Sequence, residues 1–194
     1  SRSRSRRCLR GGADARSFAE ALRSVFRQSP DVIMIGEMRD LETMQLALTL
    51  AETGHLILAT LHTQDTVHSI HRIVDTFPPA HQQQIYTQLS MVLSGVICQA
   101  LIKSADGQRR VLAYEVMNVN SAIRNLIREM QAQQIYAVIQ TSRAEHMVTM
   151  NDTLRHLVST GALDPAVAMA RSPRPKEFAR MLETLQRPTG ARAS

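Results

Sequence analysis

Two groups of polar side chains lie close enough to apolar runs to act at the ends of strands. In DVIMIGEMRD, Glu37 stands one glycine beyond the four consecutive apolar residues Val32 to Ile35. In AETGHLILATLHT, His55 opens a second apolar run and His62 closes it, with Thr60 and Thr63 beside it. A carboxylate at a strand end can orient a water for attack on a terminal phosphate, or help hold the hydration shell of Mg²⁺. A histidine at such an end can donate a hydrogen bond to the same phosphate and register its loss. Each feature also has a plain structural reading. Many parallel strands end in glycine and an acid for packing and turn reasons, and histidines at a core edge are satisfied by backbone carbonyls.

For these groups to work together, the chain must deliver them to one edge. The unbroken apolar run of residues 32–35 predicts a central strand, covered on both faces in a parallel sheet. Asp40 can cap a following helix through Leu41, Met44 and Leu48 that stops at Thr53-Gly54, and HLILATLHT reads as a second buried strand. Strand, helix and strand within about thirty residues make a βαβ unit. Ligands of such sheets sit beyond the carboxyl ends of the strands, which is where Glu37 and His62 fall.

Around this unit, ADARSFAEALRSVFRQSP carries Phe18, Leu22, Val25 and Phe26 at helical spacing. Downstream, Thr63 or Asp65 can cap a helix bearing Val67, Ile70, Val74 and Phe77, stopped by Pro78-Pro79. A long helix is expected next, with Ile85, Leu89, Val92, Val96 and Ala100 as its stripe. A hairpin then turns at Asp106-Gly107 within QALIKSADGQRRVLAYEVM. Ser121 starts a helix in AIRNLIREM, QIYAVIQ forms another, residues 151–159 a third ending at Gly161, and Asp164-Pro165 begins a fourth. Beyond Arg171 the density of Pro and Arg predicts a weakly held tail with one amphipathic stretch, residues 178–185.

With 194 residues, 44% hydrophobic and 21% charged, the composition is that of a soluble globular protein. No run approaches the ~18 apolar residues of a membrane span, and the sequence shows no signal peptide. Cys8 and Cys98 make no disulfide framework, which points to a reducing cytoplasm. The net charge is +6, but five arginines lie in SRSRSRRCLR, so residues 11–194 carry only +1. That arm has no interleaved aromatics to stack on bases, and nucleic acid is not the expected partner. His68 and His71 stand three apart without a Cys pair or HExxH, so no zinc site is expected.

Taken in order, DVIMIGEMRDLETMQLALTLAETGHLILATLHT and AIRNLIRE resemble the twitching-motility retraction ATPase family of secretion and type IV pilus motors, over about residues 13–163. GEMRD stands where extension and secretion relatives more usually have GEIRD, and their four-cysteine zinc element is absent. The resemblance implies an α/β fold: a partial RecA-like P-loop ATPase core, with a parallel sheet, flanking helices and a β-hairpin, plus a C-terminal helical subdomain. It assigns Glu37 as the catalytic glutamate of a Walker B motif that includes Asp31, Gly36, Arg39 and Asp40. His55 and His62 become the histidine box. Ala122, Ile123, Arg124, Asn125, Leu126, Ile127, Arg128 and Glu129 become a helix linked with retraction rather than with hydrolysis. On residues alone, that segment is an amphipathic helix with Arg124 and Arg128 four apart on one face.

The same resemblance implies ATP and Mg²⁺ as cofactors, the metal near Glu37 with no direct protein ligand. It implies a homo-hexamer, an inner-membrane pilus platform protein as partner, and a cytoplasmic place at the base of the pilus machine. The expected organisation is a disordered basic arm over residues 1–12, the ATPase core over 13–120, the helical subdomain over 121–171 and a weakly ordered tail over 172–194. One departure matters. The sequence contains no G-x-x-x-x-G-K-[ST], so it has no nest of backbone N–H groups and no lysine for phosphates. Family members carry that loop upstream, with a PAS-like domain, an Asp box and arginines that reach a neighbouring subunit's nucleotide. The expectation is a C-terminal half, inactive alone. The alternatives are a non-catalytic module that binds intact motors and a nucleic-acid binder using the arginine arm.

Overall fold

A computed structural model describes residues 30–186. The expected basic arm, the helix bearing Phe18 and Phe26, and the last eight residues of the tail lie outside the described residues. In chain order the elements are β1 (Val32–Ile35), α1 (Leu41–Glu52), β2 (Leu56–Ala59), α2 (Thr66–Val74), α3 (Pro79–Val92), β3 (Gly95–Lys103), β4 (Arg110–Asn118), α4 (Ser121–Arg128), α5 (Ile135–Thr141), α6 (Met150–Ser159), α7 (Pro165–Arg171) and α8 (Pro175–Gln186). Single 3₁₀ turns at Ala132–Gln134 and Arg143–Glu145 precede α5 and α6. The described residues form two compact units, 30–61 with 73–92, and 62–72 with 93–186.

The first unit is built on the βαβ element. β1 and β2 pair in parallel, with Val32 opposite Leu56 and Ile35 opposite Ala59. Asp40 caps α1 in extended backbone conformation, and Gly54 follows the last turn at φ +92°, a left-handed position that glycine occupies without strain. Ala47 and Leu50 of α1 bury Ile33 and Ile35, and α3 packs on α1. Burying each of these larger aliphatic side chains contributes ~1.5–3 kcal/mol. The expectation of two covered faces is corrected, because Met34 is 78% exposed and Val32, Leu56 and Leu58 stand open beside it. Among the described residues one layer of helix covers one face, so the apolar sequence of the other face is unpartnered.

The second unit is a hairpin covered by helices. β3 and β4 pair antiparallel from Gly95 opposite Asn118 to Lys103 opposite Arg110. Its turn is held by Ser104 and Gln108, whose O–H and N–H donate to Asp106 Oδ1 at 2.5 and 3.0 Å, with Gly107 at φ +70°. Cys98, Ile102 and Ala113 from its inner face meet Met150 and Leu154 of α6, Ala168 of α7 and Phe178 of α8. Burial pushes the Cys98 thiol up to about 11.

One expectation is corrected here. The long helix stops at Val92; Val96 and Ala100 belong to β3, because Gly95 brings the strand against Met117, whose carbonyl a β-carbon would meet at 2.9 Å. In α8, Phe178 is fully buried and Glu177 accepts a 2.7 Å hydrogen bond from the Tyr136 hydroxyl. The hairpin's inner face is the floor on which α6, α7 and α8 pack.

Candidate active site

The carboxyl end of β1 is a fixed edge. The Thr60 hydroxyl donates to the Gly36 carbonyl, and Met38 N–H donates to the Thr60 carbonyl at 3.2 Å, so the turn after β1 is tied to the residue after β2. Asp31 marks the other end of the strand, where its carbonyl accepts Leu56 N–H at 3.0 Å. Glu37 lies on the tied turn with its side chain 27% exposed, and its Oε1 lies 2.6 Å from Arg39 Nε. The Glu37 carboxylate, by hydrogen bond and charge, raises the basicity of the exposed Arg39 guanidinium. Asp40 takes no part in that pair. Its Oδ1 accepts Thr43 N–H and its Oδ2 accepts the Thr43 hydroxyl, each at 2.8 Å, and these bonds hold its carboxyl below the ordinary aspartate range. Gly36, Glu37, Arg39 and Asp40 are thus brought together on one loop.

The two histidines fall in different places. His55 precedes β2, at the opposite end of the parallel pair from Glu37. Its Nδ1 lies 3.1 Å from the Leu50 carbonyl and 2.9 Å from Thr53 Oγ1; a carbonyl only accepts, so Nδ1 carries the proton and ties off the end of α1. His62 opens the second unit. The residues after it are anchored within that unit: Thr63 Oγ1 is 2.7 Å from Ser69 Oγ, and Asp65 accepts His68 N–H at 2.8 Å as the cap of α2. Asp65 also holds His68 Nδ1 at 2.8 Å, the ordinary pairing of a surface histidine.

The AIRNLIRE segment is α4, capped by Asn120, which accepts Ile123 N–H at 3.0 Å. Ile123 and Ile127 are fully buried and Leu126 partly so; Ala122, Asn125, Arg128 and Glu129 face outward and Arg124 is half-buried. Arg128 donates to Asn125 and lies 3.8 Å from Glu129 Oε1. Asn120 and Asn118 donate to the Glu145 carboxylate and carbonyl, which fastens the start of α4 to the turn before α6. Glu115, a buried carboxylate on β4, belongs to no motif of the sequence. Its signal was parity, for it shares the inward register of Ala113 and Met117, where a charged side chain must find donors.

No group of three or more His, Cys, Asp or Glu is placed to hold a metal ion among the described residues. A lone carboxylate at a strand end still suits Mg²⁺, which keeps most of its waters and takes one or two carboxylates beside substrate phosphates.

Residues 11–171 match the family described as Type II/IV secretion system protein. The chain belongs to that family. It is 48% identical over 156 residues to a twitching motility protein of Neisseria gonorrhoeae, covering 80% of this chain and 42% of that one. It is 46% identical over 165 residues to the type IV pilus retraction ATPase PilT of Pseudomonas aeruginosa, covering 85% and 48%. The pilus assembly ATPase PilB of the same bacterium matches at 37% over only 50% of this chain, which sets the similarity on the retraction side of the family. Among solved structures, the pilus retraction motor PilT with bound ADP superposes with a TM-score of 0.79 at 50% identity, covering 87% of this chain and 47% of that one. The α/β architecture is therefore one shared with the pilus retraction motor PilT, and the chain spans about half the length of the curated relatives it matches.

Proposed function

We propose that this chain is the hydrolysis-side half of an ATP-driven type IV pilus retraction motor. The observation that carries the reading is Glu37, a carboxylate held at the carboxyl end of β1 on a turn tied to β2, in a chain whose similarity runs to retraction ATPases. Glu37 orients the attacking water, and His62 meets the terminal phosphate as a hydrogen-bond donor. Arg39 positions Glu37, and His55 secures the turn that feeds β2. Mg²⁺, bound with ATP, would neutralise charge on the phosphates beside Glu37. Copies of the motor assemble as a hexamer at the cytoplasmic base of the pilus machine, where α4 acts toward retraction through contact with an inner-membrane platform protein. Residues 13–120 supply chemistry and residues 121–171 convey movement.

The test joins this chain to the P-loop half of the Pseudomonas relative and measures phosphate release. Glu37→Gln lowers kcat by about 100-fold or more, as expected for losing a positioned base, with ATP still bound. His62→Ala lowers it by about 10-fold or more. Turnover equal to the parent in both variants, with unchanged melting, would remove the assignment.

A further inference from the structure

Glu115 is 1% exposed, and both its carboxylate oxygens are occupied from elements far apart in sequence. Oε1 accepts the N–H of Thr66 at 2.9 Å and its hydroxyl at 2.8 Å, while Oε2 accepts Met150 N–H at 3.2 Å. Thr66 and Met150 are the first residues of α2 and α6, so both N–H groups are helix-start donors with no partner inside their own helices. One side chain on β4 therefore closes the starts of two helices. Thr66 stands four residues after His62 and is fully buried. A second tie runs in parallel: Thr63 meets Ser69, and Ser69 Oγ lies 3.7 Å from Cys98, the residue opposite Glu115 in the hairpin register.

We propose that Glu115 is a positioning residue that locks the segment carrying His62 to the start of α6. Movement at that segment must then be shared with α6 or break bonds to a buried carboxylate, and broken bonds of that kind are costly. From α6 the path continues through Asp152, which accepts the Arg143 guanidinium at 2.6 Å, and the Arg143–Glu145 turn to Asn118 and Asn120, at the start of α4. The mechanical consequence rests on the reading of His62 as a phosphate contact; the coupling itself does not.

Two kinds of variant test it in the full 194-residue chain, read by amide hydrogen exchange. Glu115→Gln turns an amide N–H₂ toward Met150 N–H or toward Thr66, so exchange at one of these sites accelerates by about tenfold or more. Thr66→Val keeps size and backbone N–H but removes one donor. Exchange at Met150, which Thr66 does not hydrogen-bond, then rises with that at Thr66, the His62 ring resonances shift, and Thr66→Ser restores all three. An unchanged Met150 in Thr66→Val, or uniform loss of protection across the hairpin and α6 to α8, overturns the proposal. In the protein joined to a P-loop half, Glu115→Gln lowers kcat at unchanged KM for ATP. Full activity there, with Glu37→Gln inactive, would overturn Glu115's role in turnover. Full activity of Glu37→Gln would instead defeat the hydrolysis reading, leaving the exchange data to decide the coupling.

Discussion

Glu37 and Asp40 lie on one loop three residues apart and do different work. Glu37 is paired with Arg39, whereas Asp40 turns its oxygens back on Thr43 and starts α1. Asp40→Ala therefore lowers stability by about 1 kcal/mol at neutral pH, as loss of a helix cap does. The sign with pH follows from the depressed carboxyl. Its folded pKa lies below the ordinary value of 3.8, so its contribution is complete above that value and is lost as pH falls through the lower folded one. Urea unfolding of parent and variant should differ near pH 7 and converge in acid; an equal difference at both pH values would show that the cap acts without its charge.

At the scale of elements, Gly95 decides where helix gives way to strand. A β-carbon there would meet the Met117 carbonyl at 2.9 Å, within the hairpin rather than at a flexible side chain. Gly95→Ala is expected to cost about 1–3 kcal/mol, seen as a lower urea midpoint with secondary structure retained. An unchanged midpoint would mean that the hairpin yields at little cost. The βαβ unit, the Asp40 and Asp164 caps, the stops at Gly54 and Gly161 and the turn at Asp106-Gly107 were legible because each is set by local chemistry. The boundary at Gly95 was not. A spacing of four puts residues on one face of a helix and, being even, on one face of a strand as well, so Val92, Val96 and Ala100 satisfied both periods. The burial of Phe178 was hidden in a Pro- and Arg-rich stretch, and the partners of Glu115 lie 49 and 35 residues away along the chain, beyond any local pattern.

At the scale of the molecule, both sheets keep one apolar face open among the described residues. Val32, Met34, Leu56 and Leu58 line one, and Ile97, Leu101, Leu112 and Tyr114 the other. Exposed apolar surface of this kind marks a place where further protein packs. The site is unequal in the same way, for the chain supplies Glu37 but no glycine-rich loop with its lysine. Holding reactants in place contributes about 7–11 kcal/mol of an enzyme's advantage, and without phosphates held against it Glu37 has nothing to align. The 194-residue chain alone should therefore release phosphate from Mg-ATP at the rate of the buffer, and Glu37→Gln should leave that rate unchanged. Joining the P-loop half of a relative should raise turnover and make it depend on Glu37, while binding of an apolar dye falls as the open faces are covered. Turnover by the isolated chain that disappears with Glu37→Gln would mean that residues outside any P-loop hold the phosphates, and the division of labour proposed for the two halves would fail.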